Sequence, residues 1–424
     1  MPGRLFSPLR VGRMELPTRV VMAPLTRSRA PGGIPNEMMA RYYAQRANPA
    51  TGASLIISEG AGISPRAFGY VDVPGIYNEE QAAGWKLVTD AVHEQGGRIF
   101  CQLWHVGRVS HSSLQPKEGA PIAPSAIRAE AQTYVPAAGG GATGGGIRQA
   151  SEPRELMFTE MSEIVRTFAA AARLALDNAG FDGVEIHAAN GYLLDQFLKS
   201  TANQRTDPYG GDIEGRCRLP LEVIRAVVKA AGGGARVGLR ISPVSPVNGI
   251  GSDPEAQPLF EHLLREAGAS QMAYVHVIEG AGGGARELPQ AFDYKALCHA
   301  WRDGGAQGAW MVNNGYNAEM AEKALIEGPA ELVSFGRPFI ANPDLGARME
   351  RGAALNELDR ATLYGGGEKG YLDYPTLPAE ARTTARAIRT RAQCLAPRTH
   401  PAPGGTRSIA PFRGAYFFLM AYMT

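Results

Sequence analysis

Cysteine is scarce and scattered. The 424 residues hold four, Cys101, Cys217, Cys298 and Cys394, and no two stand in CxxC spacing. Zinc-ribbon and iron–sulfur readings have no support, and a disulfide framework is not expected. Histidine occurs in neither HxH nor HExxH spacing, so no metal site is expected at His105, His111, His187 or His276. Charge of one sign is also missing. The 43 basic side chains nearly match the 41 acidic ones, a net +2, so no broad field selects nucleic acid or an acidic membrane. A bound anion then needs a local site. No apolar run approaches the 18 residues of a membrane span, and Met1–Arg19 lacks the apolar stretch of a signal peptide. A cytoplasmic protein, with no nucleic-acid or membrane partner, is the expectation.

What is present alternates. Eight short apolar runs are separated by longer helical patterns: Arg19–Ala23, Ala53–Ser58, Arg98–Leu103, Gly183–His187, Val237–Ile241, Tyr274–Ile278, Trp310–Asn313 and Leu332–Phe335. Alternating strand and helix implies a parallel sheet, and eight units imply a closed (β/α)8 TIM barrel. An open doubly wound sheet would want a GxGxxG turn after its first strand. Pro24-Leu25-Thr26-Arg27 stands there instead. Strand parity agrees with a barrel. Val184 and Ile186 share one face, Glu185 and His187 the other, and the polar face is expected to look inward. Thr159–Ala179 reads as one amphipathic helix stopped at Gly180. Asn78 with Gln81 reads as a capping box.

Two segments stand apart. Ala137–Gly146 is almost all Gly and Ala, and reads as a flexible part of the loop after the third strand. The chain is expected to divide into a barrel over 1–378, a single domain with loop insertions, and a poorly ordered C-terminal extension over 379–424.

Catalytic groups of such barrels sit at the C-terminal ends of the strands. Here these ends are Thr26, Glu59-Gly60, Gln102, His187, Arg240, Gly315 and Gly336-Arg337. The loops after strands seven and eight carry Asn314-Gly315 and Gly336-Arg337, the chemistry of a phosphate site. Arg240, buried on the inward face, needs an oxygen-rich or anionic partner. An internal ion pair with Glu185 is the bland alternative. His187 and Asn190 can converge as donors on one oxygen, and Tyr192 can give a proton. The seven lysines (Lys86, Lys117, Lys199, Lys229, Lys295, Lys323 and Lys369) all fall outside the expected strands, which argues against Schiff-base chemistry.

Several segments, in order, resemble the old yellow enzyme family of FMN-dependent ene-reductases. They are Val20 through Arg27, Gln102-Leu-Trp-His-Val-Gly-Arg108, His187 through Tyr192, Asn203 through Gly211, Ser334 through Asp344, and Tyr364-Gly-Gly-Gly with Asp373-Tyr-Pro375. The resemblance runs over roughly residues 4–378, nearest the bacterial branch that includes N-ethylmaleimide reductase. It implies non-covalent FMN held by Pro24, Leu25, Thr26, Gly60, Gln102 and Arg240. Asn314, Gly315, Gly336 and Arg337 would take its phosphate. It implies His187 and Asn190 on a carbonyl, imide or nitro oxygen, Tyr192 as donor to the α-carbon, and Tyr70, Trp104 and Tyr364 as substrate walls. The implied reaction is ping-pong: NAD(P)H, more often NADPH, reduces the flavin, which passes hydride from N5 to the β-carbon of a small activated alkene. The implied assembly is a monomer or homodimer. Gly60 departs from the family's more usual Ala, with a loosened flavin edge expected. The alternatives are a flavin-free phosphate-binding lyase or isomerase, and a non-catalytic flavoprotein.

Overall fold

The structure, a computed structural model, describes residues 3–135, 145–286 and 292–378. Eight parallel strands close into a barrel: β1 Val20–Met22, β2 Leu55–Gly62, β3 Arg98–Trp104, β4 Gly183–Ala188, β5 Val237–Ile241, β6 Tyr274–Ile278, β7 Ala309–Asn313 and β8 Leu332–Phe335. β8 pairs with β1 through Val333 beside Val20, and this ladder completes the ring. Around it pack α1 Glu37–Ala44, α2 Glu79–Glu94, α3 Met161–Arg173, α4 Ile213–Ala230, α5 Ala256–Gly268, α6 Tyr294–Asp303, α7 Ala318–Glu327 and α8 Leu345–Arg351.

Side chains alternate across each strand. Val184, Ile186, Val237, Leu239, Val275 and Val277 join the helices in the outer core. The inward positions split by height. Near the bottom, Val21, Leu55, Ile57, Phe100, Tyr274, Met311 and Leu332 form an apolar layer. An N-terminal hairpin, Leu9–Val11 against Met14–Leu16, adds Val11, Met14 and Leu16 to that layer. Higher up, register places Gln102 beside Glu185, His187 beside Arg240, and Arg240 beside His276.

Three local expectations need revision. β2 runs to Gly62, past the expected end at Ser58, because its pairing with β3 shifts between Ile57 and Gly60. An extra residue in a ladder bends the strand and re-aims the side chains beyond it; here Gly60 comes to lie beside Gln102, and the Ser58 hydroxyl accepts the Gln102 N–H at 3.1 Å. Thr159–Ala179 is not one helix. A 3-10 turn at Phe158–Glu160 leads into α3, which ends in a π-helical turn, Leu174–Asn178. The wider turn rotates the face, so that Ala175 is buried along with Leu176 and Ala179, and Gly180 comes next with φ +77°. The Asn78 side chain does accept the Gln81 N–H at 2.9 Å, but Gln81 returns its bond to the Tyr77 N–H at 3.0 Å, one residue before the cap.

A strap from the chain's C-terminal part covers the end of β1. Arg27 donates to the carbonyls of Leu363 at 2.8 Å and Gly370 at 2.9 Å, and Arg29 to that of Thr362 at 2.9 Å. Both guanidinium groups lie against the Tyr371 ring, which stacks on Tyr42 with 4.0 Å between centroids. Most of the Gly-rich segment 137–146, and the whole extension 379–424, fall outside the described residues; Gly146 pairs with Val135 in a small hairpin. No helix among the described residues is long and apolar enough to cross a membrane.

Candidate active site

The strands open into a cavity at their C-terminal ends. Pro24 and Thr26 reach it from β1, Gly60 from β2, Gln102 and Trp104 from β3, His187, Asn190 and Tyr192 from β4, and Arg240 from β5. Each of these nine is a residue the sequence singles out. Leu25, expected with them, buries its side chain in the outer core. Tyr70 stands just behind, its ring 5.7 Å from Trp104 and its hydroxyl 3.3 Å from that of Tyr192. Tyr364 is carried by the strap, and burial together with the nearby Tyr192 raises its phenol well above the ordinary value.

The polar floor is ordered by a buried chain. Glu185 accepts from Gln102 Nε2 at 2.8 Å and bonds His276 Nδ1 at 2.8 Å, and His276 Nε2 meets the Ser334 hydroxyl at 2.7 Å. Burial alone would raise Glu185; His276, Arg240 and Gln102 hold it below its ordinary value. Since Gln102 spends an N–H on Glu185, its carbonyl oxygen is left as the acceptor for a ligand. Glu185 makes no ion pair with Arg240 within 4 Å, so that alternative is not what is found. Arg240 donates through Nη2 to Asn313 Oδ1 at 3.1 Å, and its buried Nε has no partner. Burial lowers Arg240 to about 10, which leaves it charged at neutral pH. A buried cation with an unused donor calls for an anionic or oxygen-rich ligand.

His187 is kept neutral. Burial, then Arg240 and His276, lower its imidazole well below 6.5. Its Nδ1 accepts the Ala189 N–H at 3.3 Å, so the proton sits on Nε2, free to donate. Asn190 is buried and its Oδ1 has no partner. Tyr192 is pushed up to about 12 by burial, against hydrogen bonds from Tyr70 and Asn248, and stays protonated near pH 7. A neutral imidazole, an amide and a phenol thus face one small space.

The expected phosphate residues lie apart from this cavity. Gly315, with φ +67°, follows β7, and Gly336 follows β8 and precedes the short helix Arg337–Ala341. Asn314 ties its amide to the carbonyls of Glu279 at 2.6 Å and Ala281 at 2.9 Å. Arg337 is exposed and donates to the Gly283 carbonyl at 2.8 Å.

Gly60 does not loosen the site. A Cβ there would lie 2.6 Å from Trp104 Cε3, so the indole already fills that space. Ser334 enters the sequence reading only as the start of a motif, and Asn248, Asp195 and Ser242 are not singled out there for this site. Glu185 enters it only as a rival partner, and His276 only as a possible metal ligand. Their one signal is inward parity, shared by Glu185 and His276.

A model of the NADH:flavin oxidoreductase / NADH oxidase family matches residues 4–356. The chain belongs to this family, that of the old yellow enzymes. Among its old yellow enzyme relatives, 12-oxophytodienoate reductase 7 of Oryza sativa subsp. japonica is 44% identical over 385 residues, covering 88% of this chain and 94% of the relative. Chanoclavine-I aldehyde reductase fgaOx3 of Penicillium roqueforti is 43% identical over 384 residues, covering 88% and 96%. The structure of morphinone reductase in complex with tetrahydroNAD superposes with a TM-score of 0.81 at 45% identity, covering 90% of this chain and 99% of that one. The cavity fits the family's flavin. It offers an unused Arg240 donor and a directed Gln102 carbonyl.

Proposed function

We propose that the chain is an ene-reductase that holds FMN across this cavity and uses NAD(P)H to reduce activated carbon–carbon double bonds. The observation that carries the reading is the convergence of neutral His187, Asn190 and protonated Tyr192 on one space beside buried Arg240. Bound FMN supplies the hydride chemistry, accepting it from the nicotinamide and giving it to the β-carbon of the alkene. The protein's own residues do the rest. Arg240, Gln102, Thr26 and the backbone near Pro24 and Gly60 would hold the ring, with Asn314, Gly315, Gly336 and Arg337 toward its phosphate. His187 Nε2–H and the Asn190 amide would grip the carbonyl, imide or nitro oxygen and hold the charge that develops there; one such donor is typically worth about 10²–10³ in rate. The Tyr192 phenol would pass its proton to the α-carbon, and Tyr70, 3.3 Å away, is placed to return one. Tyr70, Trp104 and Tyr364 would wall the substrate.

The reading includes NADPH as the preferred donor, N-ethylmaleimide among the acceptors, a cytoplasmic location and a monomer or homodimer. The relatives named above are reductases, and nothing in them supports a flavin-free lyase or isomerase. The test is a visible spectrum of the purified protein, before and after anaerobic NADPH, then with 2-cyclohexenone. A yellow protein that bleaches and recolours is expected. A colourless protein that FMN does not restore overturns the reading.

A further inference from the structure

We infer that Asp195, acting through the Ser242 hydroxyl, is the positioning group that aims Asn190 into the cavity, with Lys199 as its buried counter-ion. The inference rests on the oxygen-binding role of Asn190 given above. Asn190 and Gly191 have φ of 58° and 72°, two successive left-handed residues. The left-handed region disfavours a residue with a Cβ, asparagine less than most, and two such residues in a row persist only where their surroundings determine them. Here all four backbone polar groups of the turn are met by side chains. The Asn190 N–H donates to Ser242 Oγ at 2.7 Å, and its carbonyl accepts from Asn248 Nδ2 at 2.8 Å. The Gly191 N–H donates to Asp195 Oδ2 at 2.8 Å, and its carbonyl accepts from Gln196 Nε2 at 2.7 Å.

Asp195 sets the sense of this clamp. Ser242 points its own proton at Asp195 Oδ2, 3.5 Å away, which leaves the hydroxyl oxygen as acceptor for Asn190. Lys199 Nζ stands 3.6 Å from the other carboxylate oxygen, and both side chains are fully buried. Lys199 also donates to the carbonyls of Ser242 at 3.1 Å and Ser245 at 3.5 Å. The ammonium therefore fixes the backbone at Ser242 while it balances Asp195. A buried ion pair alone is weak evidence of a stabilising role. In this one, the carboxylate's hydrogen bonds go to the turn and to the serine that grips it. The Asn190 Oδ1 has no protein partner, so the aim of the amide is inherited from the backbone.

The test uses the FMN-loaded full chain and titrates 4-chlorophenol, a stable mimic of the enolate, by calorimetry and flavin absorbance. Ser242→Ala is expected to weaken phenol binding about tenfold, the usual scale for stranding one buried N–H, with flavin content and flavin potential unchanged. Ser242→Thr, which keeps the hydroxyl, is expected to restore most of the affinity. Asn190→Ala is expected to weaken binding at least as much, and Ser242→Ala added to it to cost nothing further, because the serine acts only through that amide. Should Ser242→Ala not fold, Asp195→Asn is read in the same way. Full phenol affinity in either folded variant, or losses that simply add, overturns the clamp while leaving Asn190 in place. Full affinity in Asn190→Ala removes the role of Asn190 itself, and this inference with it.

Discussion

A phenol is a poor acid in water and a poorer one when buried. Burial takes Tyr192 to about 12, so across the neutral range the group is always loaded with its proton. Tyr192→Phe should slow reoxidation by 2-cyclohexenone about 10²–10⁴-fold, the usual scale for a general acid, while bleaching by NADPH stays near the wild-type rate. Stopped-flow absorbance on the two half-reactions checks this, and equal slowing of both would refute the donor role. Gly60 makes a different residue-scale prediction. An added methyl meets the Trp104 indole at 2.6 Å, and the ring has to yield into the cavity. Gly60→Ala should raise KM several-fold more for a β-substituted, bulky enone than for 2-cyclohexenone, and Trp104→Leu should erase the difference. An unchanged KM ratio in Gly60→Ala would sink the argument. Motif order made His187, Asn190, Tyr192 and Arg240 readable from the sequence. The reason for Gly60 was not readable, since it lies in the rotamer of a side chain on the neighbouring strand. Asp195 and Ser242 were hidden for a related cause: each acts on a backbone turn, and a turn's hydrogen bonds leave no compositional trace.

Among elements, β2 and the strap behind it hold buried charge at Glu59 and Arg27. Glu59 is fully buried in the irregular stretch of β2, with Tyr43 and the Arg27 N–H as its partners. Burial raises its carboxyl from 4.5 to about 7, against the partly compensating Arg27 and Tyr43. The folded state thus holds this proton more tightly than the unfolded chain. Stability from this group is full below about pH 4.5 and is lost as pH rises to about 7. Glu59→Gln should flatten that slope by on the order of 3 kcal/mol, read from urea unfolding at pH 5 and pH 8; an unaltered difference between the two would contradict it. Arg27 binds the strap to β1. Arg27→Met strands the part-buried carbonyl of Leu363 and the buried carbonyl of Gly370 and should cost about 2–4 kcal/mol. Because the strap carries Tyr364, KM for enones should rise more than kcat falls. Thermal melts and steady-state kinetics together test this, and a wild-type melting temperature would discount the knot. Most strands were legible to within a residue or two, as apolar parity is a strong signal. The late end of β2 and the π-helical turn were not, because one extra residue in a ladder or a helix alters spacing without altering composition.

For the molecule as a whole, eight alternating units sufficed to read a closed barrel, since parallel strands with helical crossovers leave few other ways to bury both faces. The closure at the bottom was not read, as the hairpin Leu9–Val11 with Met14–Leu16 is too short to announce itself. Its burial with Phe100, Tyr274 and Met311 seals a floor that strand side chains already fill, so the barrel is a cup. A cup has one rim. Whatever arrives must leave by the way it came before the next guest can enter. Donor and acceptor therefore share a doorway, and an excess of either should stand in the other's path.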